Sequence, residues 1–305
     1  MSNKATKTKK GEKQKWADFS KKKKVTIIVL SVLAALLILA IIGGSIALHL
    51  YCKTPDYEVL ETDKQETVLI AHRGMRSVAP ENTVPAFIEA GEHGYWGIEC
   101  DVYRTADGVW VVTHDSNTYR MMDKTANVEK KTYAELMEMN VDNGSNIENY
   151  TDLKFCSLED YLCVCNEYNM VAVIELKGKN NTEYYDELVS FVESFNVGTI
   201  YISFHFENLQ KIRQYTDTQM FYLVNKISDE DIELAKSLPN CGIDFNGNKE
   251  ENFESGAIQK CIDEDIALAA WTINDLETLD KLFESGVDFI TTDNIIKQKS
   301  GNTIE

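Results

Sequence analysis

The stretch IALAAWTINDLETLDKLFESGVDFIT, residues 266–291, contains one complete unit of the pattern from which the fold follows. Ile266–Trp271 is a β-rich apolar run. Asp275–Glu284 then places apolar residues at helical spacing behind an Asp that suits an N-cap, and Asp288–Thr291 is a second β-rich run. A strand, a helix and a strand joined this closely predict a parallel βαβ unit.

The same alternation extends through residues 67–297. Eight strands alternating with helices favour the α/β class and a closed (β/α)8 TIM barrel. The alternation breaks once, because the turn Thr105–Gly108 leads into a strand-like run, VWVVTHD at 109–115, without a helix. We therefore predict one barrel over 67–297, with a small insertion after the second strand at about 103–157. The strand candidates are Val68–Ala71, Gly97–Asp101, Val171–Glu175, Thr199–Ser203, Gln219–Leu223, Cys241–Asp244, Ile266–Trp271 and Asp288–Thr291.

An uncharged apolar segment precedes the predicted barrel. Val25–Tyr51 contains 27 residues without Asp, Glu, Lys or Arg, and a helix of about 20 apolar residues spans the hydrocarbon core of a bilayer. A cleaved signal peptide usually has an apolar region of only about 7–15 residues, followed by a small-residue cleavage site. Here the run ends in His49–Cys52, HLYC. The sequence therefore predicts an uncleaved transmembrane signal anchor at 25–51.

Charge differs between the two sides of this segment. Residues 1–24 contain ten Lys against Glu12 and Asp18, a net charge of +8, so the −18 of the whole chain leaves −26 for the remainder. The positive-inside rule predicts a basic cytoplasmic arm at 1–24 and a single-pass protein of the cell membrane with an extracellular domain. A tether at 52–66 and a polar tail at 298–305 complete the organisation. An acidic domain disfavours nucleic acid as a partner, because phosphate backbones attract basic surfaces.

Polar side chains stand at the carboxyl ends of the predicted strands, where barrel enzymes carry their active sites. Glu99 and Asp101 are two residues apart on one strand, so their side chains point to the same face. Together with Glu175 they would repel strongly unless a cation lay between them, and oxygen ligands favour Mg²⁺ or Ca²⁺ over Zn²⁺. The candidate residues at these strand ends are His72, Arg73, Glu99, Asp101, His114, Glu175 and Lys177.

These residue types divide into three chemical roles. The three carboxylates would hold one divalent cation. His72 and His114 would act as general base and general acid, in either order. Arg73 and Lys177 would balance the charge of an anionic substrate, and Arg is suited to bidentate contact with phosphate.

The segment from His72 to Asp115, HRGMRSVAPENTVPAFIEAGEHGYWGIECDVYRTADGVWVVTHD, resembles the signature of the glycerophosphodiester phosphodiesterase family. The family pattern of HRG, PENT, E-x-D, T-x-DG and HD occurs here in the same order and with matching spacing. Further along, the chain matches the family's E-x-K at 175–177, S-F at 203–204, W-T-x-N at 271–274 and T-D at 292–293. The resemblance covers residues 67–295.

The resemblance implies a fold, an activity and a set of site residues. Members are (β/α)8 barrels with a small subdomain inserted after the second strand. They hydrolyse glycerophosphodiesters to glycerol 3-phosphate and an alcohol, using a divalent cation. Carried over by motif, the catalytic residues are His72 and His114, the metal ligands are Glu99, Asp101 and Glu175, and the substrate-binding residues are Arg73, Lys177 and Trp271.

Several points stay open at the level of sequence. Ca²⁺ is the favoured ion and Mg²⁺ the alternative, because millimolar extracellular calcium suits weak, flexible oxygen sites. The nucleophile is either the glycerol 2-hydroxyl of the substrate, which gives a cyclic phosphate first, or water. Glu81 either ties its loop to Arg73 or favours the following helix N-terminus. His205 either reaches the pocket or begins a helix.

Two other functions are compatible with the same residues. A phospholipase-type phosphodiesterase acting on lysolipid or lipid headgroups fits a pocket tethered near a bilayer by about 15 residues. A catalytically silent surface-binding barrel is the other alternative. It is disfavoured because both histidines and all three carboxylates are retained.

Overall fold

The chain forms two compact units. The computed structural model describes residues 21–52, 57–178, 181–287 and 289–298. One unit is Met1–Lys53 and the other is Thr54–Glu305. Residues 1–20 of the predicted basic arm, 53–56 of the predicted tether and 299–305 of the predicted tail lie outside the described residues.

The first unit contains the helix α1, Lys21–Cys52. Within it, the 22 residues Lys23–Gly44 are long and apolar enough to cross a membrane. At a rise of about 1.5 Å per residue this segment spans about 33 Å, slightly more than the hydrocarbon core of a bilayer. Its large apolar side chains, from Val25 to Ile42, are exposed.

The second unit is built around a sheet and an additional short strand pair. The strands in the described residues are β1 (Leu60–Thr62), β2 (Val68–Ala71), β3 (Gly97–Arg104), β4 (Trp110–Val112), β5 (Cys156–Ser157), β6 (Val171–Leu176), β7 (Thr199–Ser203), β8 (Met220–Val224), β9 (Cys241–Asn246), β10 (Leu268–Trp271), β11 (Phe289–Thr292) and β12 (Ile295–Lys297).

Eight of these strands close into a parallel barrel within the described part of the chain. The order around the ring is β2-β11-β10-β9-β8-β7-β6-β3. Strand β2 pairs in parallel with both β11 and β3, so the ring has no open edge. The prediction of a (β/α)8 TIM barrel is therefore confirmed.

Helices follow the barrel strands, and several of them begin with capping side chains. Asp275, predicted as an N-cap, accepts a hydrogen bond from the backbone N–H of Thr278 at 2.8 Å. Ser228 and Asp231 form a reciprocal capping box at the start of another helix. The helices of this unit are α2 (Val84–Glu92), α3 (Tyr133–Met137), α4 (Leu158–Glu167), α5 (Tyr185–Glu193), α6 (Phe206–Ile212), α7 (Asp229–Ser237), α8 (Glu250–Glu254), α9 (Ala257–Asp263) and α10 (Leu276–Glu284).

Alternation along the strands separates two hydrophobic cores from the polar mouth. Ile174 of β6 packs in the large outer cluster, which also contains residues of the helices. Its neighbour Val173 belongs to a second cluster with Ile70, Ile202 and Phe221, which fills the barrel interior. Because side chains alternate along a strand, Glu175 points to the same side as Val173, one layer nearer the carboxyl end.

The chain between β3 and α4 forms a small subdomain. Strand β4 pairs antiparallel with β3, and β5 pairs antiparallel with β4. A separate apolar cluster includes Val111, Val128, Leu136 and Phe155. The backbone N–H of Thr113 donates to the carbonyl of Asp101 at 2.9 Å, and this contact brings the residue after Thr113 to the barrel mouth.

Part of the segment predicted as a tether, 52–66, is folded. Leu60–Thr62 pairs in parallel with Ile295–Lys297. In addition, Asn294 donates its side-chain amide to the carbonyl of Glu58 at 2.8 Å. A three-residue strand is too short to produce an alternation that sequence inspection detects.

Candidate active site

A cavity of about 210 Å³ opens at the carboxyl ends of the barrel strands. Strands from most of the ring contribute to it, and six of the eight predicted site residues line it. The other two, Asp101 and Lys177, form ion pairs with the lining residues Arg73 and Glu175. The lining residues are His72, Arg73, Glu99, His114, Glu175, Ile202, Phe204, Asp244, Trp271, Thr272 and Thr291.

Three buried carboxylates from two adjacent strands form one cluster. Asp101 of β3 lies in register with Glu175 of β6, and Glu99 shares the inward face of β3. Each of the three residues offers a carboxylate oxygen within 4.8 Å of the other two. Between Glu99 and Asp101, Cys100 packs in the outer core instead. The structure therefore gathers the three predicted metal ligands.

Repulsion within this cluster is visible in the pKa values. Burial, followed by the charges of Asp101 and Glu175, raises the pKa of Glu99 well above its ordinary value. Burial and the charge of Asp101 raise the pKa of Glu175 to about 7. A cation held between the carboxylates would relieve this repulsion.

Two cations and one amide face Asp101. Lys177 Nζ lies 3.3 Å from Asp101 Oδ1 and 2.9 Å from Glu175 Oε1, and Arg73 Nε lies 3.4 Å from Asp101 Oδ2. Asn82 donates its amide to Asp101 Oδ2 at 2.9 Å. Burial acts to raise the pKa of Asp101, but the charges of Lys177, Arg73 and His114 and the bond from Asn82 lower it well below its ordinary value.

The backbone after β2 turns sharply to bring Arg73 over this cluster. Arg73 adopts a left-handed conformation with φ 57°, and Gly74 follows with φ 80°. The Arg73 backbone N–H donates to Glu99 Oε2 at 2.9 Å. A Cβ on Gly74 would lie 2.8 Å from the Cβ of Ala86, so only glycine fits at this turn.

His72 is oriented by a carboxylate from the other end of the domain sequence. Its Nδ1 lies 2.7 Å from Asp293 Oδ1. Burial and the charge of Arg73 lower the pKa of His72, and this outweighs the opposite effect of Asp293. Burial acts to raise the pKa of Asp293, but His72, Arg76 and Asn274 lower it to about 2. His72 therefore donates its Nδ1 proton to an ionised acceptor, and its Nε2 carries a lone pair.

His114 has a similar carboxylate partner within its own loop. Its Nδ1 lies 2.9 Å from Asp115 Oδ1. Asp115 Oδ2 accepts a hydrogen bond from Arg120 Nε at 2.8 Å, and Arg120 belongs to the inserted subdomain. Both imidazoles therefore line one cavity with Nδ1 engaged and Nε2 available to a ligand.

Phe204 and Trp271 form an apolar part of the cavity wall. The rings of Phe204 and Trp271 meet edge to face, with centroids 5.4 Å apart. Trp271 Nε1 donates to the backbone carbonyl of Asp244 at 3.2 Å, which fixes the orientation of the indole ring. His205, for which sequence left two possibilities, is the residue that precedes α6, and its neighbour Phe204 lines the cavity.

Several residues of the site escaped sequence reasoning. Asp293 lies in a recognised T-D motif, but the motif did not indicate that this carboxylate contacts His72. Asp115 pairs with His114, and Arg120 pairs with Asp115, within an irregular loop that sequence patterns do not resolve. Asp244 is buried, its Oδ1 has no hydrogen-bond partner in the part of the chain that the structure describes, and burial followed by Glu175 raises its pKa. Tyr57 lies near Arg76, and burial and Asp293 raise the tyrosine pKa to about 12.

The carboxylate cluster fits a hard divalent cation. Its donors are oxygens only, which suits Ca²⁺ or Mg²⁺. Asp101 Oδ1 accepts no hydrogen bond from any described residue although it is buried. The ammonium of Lys177 lies 3.3 Å from this oxygen, and the neighbouring carboxyl groups of Glu99 and Glu175 have raised pKa values, so the cluster has the negative charge and the free oxygen lone pairs that suit a cation.

Comparison with known proteins agrees with this geometry. A model of the glycerophosphoryl diester phosphodiesterase family matches residues 72–297. Human glycerophosphodiester phosphodiesterase 1 is 30% identical over 149 residues, which cover 48% of this chain and 45% of the human protein. The bovine protein is 29% identical over 161 residues and is matched over 48% of its length. The chain thus spans about half the length of these two relatives.

Other relatives match over nearly their whole length. The uncharacterized protein YqiK of Bacillus subtilis is 29% identical over 234 residues, covering 74% of this chain and 95% of that protein. A phosphodiesterase structure from Oleispira antarctica, in complex with the product sn-glycerol-3-phosphate, has a TM-score of 0.64 and 25% identity, covering 74% of this chain and 92% of the other. A glycerophosphodiester phosphodiesterase structure from Parabacteroides distasonis has a TM-score of 0.62 and 28% identity, covering 75% and 93%. The family match extends over most of the chain, so this protein belongs to the glycerophosphoryl diester phosphodiesterase family.

Proposed function

We propose that this protein hydrolyses glycerophosphodiesters to glycerol 3-phosphate and an alcohol at the mouth of its barrel. The observation that carries the proposal is the meeting, in one cavity, of a three-carboxylate cluster and two imidazoles. Membership of the family supports it, and the structure of the Oleispira antarctica relative holds sn-glycerol-3-phosphate as product. The cavity of about 210 Å³ is smaller than the range of about 300–1,000 Å³ common for drug-sized ligands, which favours a small polar diester over an entire lipid.

Glu99, Asp101 and Glu175 would hold the divalent cation, and Ca²⁺ is favoured over Mg²⁺. When bound, such an ion supplies positive charge that stabilises the developing charge on a phosphoryl oxygen. Glu175, whose pKa is raised to about 7, must give up its proton to serve as a ligand. We therefore expect ion affinity to increase as the pH rises through neutrality.

Arg73 and Lys177 would bind the phosphate of the substrate. Burial acts to lower the pKa values of both residues, but the surrounding carboxylates raise them above their ordinary values, so both carry a full positive charge at neutral pH. Arg73 is also held by its own backbone, whose N–H is bonded to Glu99. This arrangement orders the guanidinium before substrate arrives, which reduces the entropy lost on binding.

His72 would act as the general base and His114 as the general acid. The lowered pKa of His72 keeps its imidazole neutral at physiological pH. The hydrogen bond from Nδ1 to Asp293 leaves Nε2 to accept a proton from the nucleophile, which is either the glycerol 2-hydroxyl of the substrate or water. His114, in its protonated form, would donate a separate proton to the leaving alkoxide, while the proton from the nucleophile stays on His72. Trp271 and Phe204 would pack against the alcohol part of the substrate and exclude water from that side.

We further propose that the reaction occurs on the outer side of the cell membrane. The apolar helix Lys23–Gly44 would be the anchor. Ten Lys in the first 24 residues favour a cytoplasmic N-terminus, and this orientation would place the barrel in the extracellular space.

A coupled assay of glycerol 3-phosphate release tests the activity. The full-length chain in a mild detergent is supplied with glycerophosphocholine, glycerophosphoethanolamine and glycerophosphoglycerol. We expect release from at least one diester, its loss in EDTA, and its recovery with Ca²⁺. His72→Ala and His114→Ala should each lower kcat about 10²- to 10⁴-fold.

His93→Ala is the matched control, because His93 is bonded to the carbonyl of Glu89 at the end of α2, away from the lining residues. It should retain wild-type activity. Release that persists in EDTA would contradict the role of the cation. A wild-type chain that releases glycerol 3-phosphate from none of the diesters would contradict the proposed function itself.

A further inference from the structure

The carboxylate of Glu81 is buried among three arginines beside the cavity. Its Oε1 accepts hydrogen bonds from Arg73 Nη1 at 2.9 Å and from Arg120 Nη2 at 2.5 Å, and Arg76 Nη2 lies 2.9 Å from Oε2. Only 1% of the Glu81 side chain is exposed. Burial acts to raise its pKa, but the three arginines hold it well below the ordinary value. One carboxylate therefore anchors cations from the loop after β2 and from the inserted subdomain.

Arg120 extends this cluster to His114. Its Nε donates to Asp115 Oδ2 at 2.8 Å, and Asp115 Oδ1 lies 2.9 Å from Nδ1 of His114. Arg120 thus joins two carboxylates through two nitrogens of one planar group, and lysine cannot reproduce that geometry. Every contact from Glu81 to His114 is 2.9 Å or shorter.

Arg76 makes a looser connection towards His72. Arg76 Nε lies 3.6 Å from Asp293 Oδ1, the oxygen that faces Nδ1 of His72. Asp293 has an independent support, because Asn274 donates to its Oδ2 at 2.7 Å and accepts from its backbone N–H at 2.9 Å. The orientation of His72 therefore depends on more than the Glu81 cluster.

We propose that Glu81 is a positioning residue that orients His114 through Arg120 and Asp115 and holds Arg73 directly, whereas His72 depends on it much less. This inference rests on the proposed phosphodiesterase function. A purely stabilising role explains the cluster less well, because apolar residues of similar volume often stabilise a protein as much as a buried ion cluster does. The contacts instead end at an imidazole and a guanidinium that line the cavity.

The first test compares Arg120→Met with Arg104→Met in the full-length chain. Arg104 is a matched control, because its side chain is 15% exposed against 17% for Arg120 and pairs with Glu187 at 3.2 Å, away from the cavity residues. We expect Arg120→Met to lower kcat about 10- to 100-fold, with KM changed by less than about twofold. Arg104→Met should leave both constants at the wild-type values.

The second test uses NMR of the protein with ¹⁵N-labelled histidine. The chain contains five histidines, so the spectrum is simple enough to assign. Arg120→Met and Glu81→Gln should both change the ring-nitrogen shifts of His114, and those of His72 should stay near the wild-type values. The double variant should have a kcat no lower than that of the more impaired single variant, because both substitutions interrupt one chain of contacts.

The outcomes separate this inference from the proposed function. Wild-type kcat in Arg120→Met, unchanged His114 shifts, or losses that multiply in the double variant would each overturn the positioning role. If Glu81→Gln does not fold, Arg120→Met decides the matter through its kcat and its His114 shifts. If the wild-type chain has no activity, the proposed function fails, and the shifts still determine whether Glu81 controls His114.

Discussion

Among single residues, Asp293 determines which ring nitrogen of His72 carries the proton. An ionised carboxylate at 2.7 Å from Nδ1 requires that nitrogen to carry the proton. In Asp293→Asn an amide replaces the carboxylate, and its NH₂ group can donate to Nδ1 and leave the proton on Nε2, where the base is needed unprotonated. We expect kcat to fall by up to about 10⁴-fold, the scale seen when the carboxylate of a Ser-His-Asp triad becomes an amide.

The control for this substitution is Asp275→Asn, in which the same exchange is made at the N-cap of α10. Asp275 accepts from the N–H of Thr278, and Asn caps helices about as well as Asp. Both variants are compared in kcat and in thermal unfolding. A loss of less than about tenfold in Asp293→Asn, with the fold intact, would show that His72 does not depend on this carboxylate.

Asp244 is a site residue that lowers the free energy of unfolding of the protein. Its buried Oδ1 has no hydrogen-bond partner among the described residues. Asp244→Leu should raise the free energy of unfolding by about 1–3 kcal/mol at neutral pH, because a buried polar group without a partner carries an uncompensated desolvation cost. The cavity provides room for the larger side chain.

The stability gained by Asp244→Leu should increase as the pH rises from 4 to 7. The pKa of Asp244 is raised in the folded state by burial and then by Glu175, so the folded chain binds this proton more tightly than the unfolded chain does. Its contribution to stability is present below the unfolded pKa and is lost as the pH rises through the folded pKa. Denaturant titrations should therefore find a smaller difference between Asp244→Leu and wild type at pH 4 than at pH 7, and an equal difference would contradict this account.

How far individual residues could be predicted depended on whether a motif contained them. The eight predicted site residues lie in short motifs at strand ends, and all eight gather at one mouth. Asp293 could not be assigned a role because its partner His72 is 221 positions away, and only closure of the ring brings the two together. Arg120 and Asp244 lie outside any recognised motif, so their environment became apparent only in the folded chain.

At the scale of elements, the connection from β2 to α2 depends on Gly74. Its φ of +80° is strained for other residues, and an added Cβ would lie 2.7 Å from the carbonyl carbon of Ala86. The conformation alone costs about 1–3 kcal/mol, and the close contact adds to that. We expect Gly74→Ala to lower the free energy of unfolding by more than this range and to reduce kcat by displacing the adjacent Arg73.

The variant Gly94→Ala separates the two causes of the stability lost in Gly74→Ala, which are backbone strain and the close contact with Ala86. Gly94 has φ +73° but no atom within 4 Å of a built Cβ, so the substitution introduces strain without a clash. Chemical denaturation of both variants measures the difference, which is the cost of the contact with Ala86. Equal losses in the two variants would show that the turn tolerates a Cβ.

The elements were predictable where they were long and regular. The βα alternation identified all eight barrel strands, because each is a buried apolar run bounded by turn residues. The pair Leu60–Thr62 and Ile295–Lys297 was not predicted, because three-residue strands have no measurable period. The inserted subdomain was recognised as an interruption, yet its contribution of Arg120 to the site follows from tertiary contacts alone.

At the scale of the whole molecule, ring closure creates the site from distant parts of the chain. Strands β3 and β6 are adjacent although the whole insertion and α4 separate them in sequence, and their pairing brings Asp101 opposite Glu175. A closed barrel has a single carboxyl-end mouth, so the polar strand ends predicted from sequence had to converge there. The distances between individual side chains, such as the 2.9 Å between Lys177 and Glu175, depend on the register and twist of the strands. The sequence pattern could not predict them.

The predicted membrane orientation can be tested through Cys163, which is a free, exposed thiol on α4 of the barrel domain. An extracellular barrel makes Cys163 accessible to a membrane-impermeant maleimide in intact cells, whereas a cysteine introduced as Ser2→Cys should react only after the cells are opened. The experiment is carried out in a Cys52→Ser background, and Cys163→Ser supplies the control for labelling of other thiols. The ten Lys before residue 25 favour this orientation through the positive-inside rule. Labelling of the introduced Ser2→Cys thiol and protection of Cys163 in intact cells would reverse the assignment and place the proposed reaction in the cytoplasm.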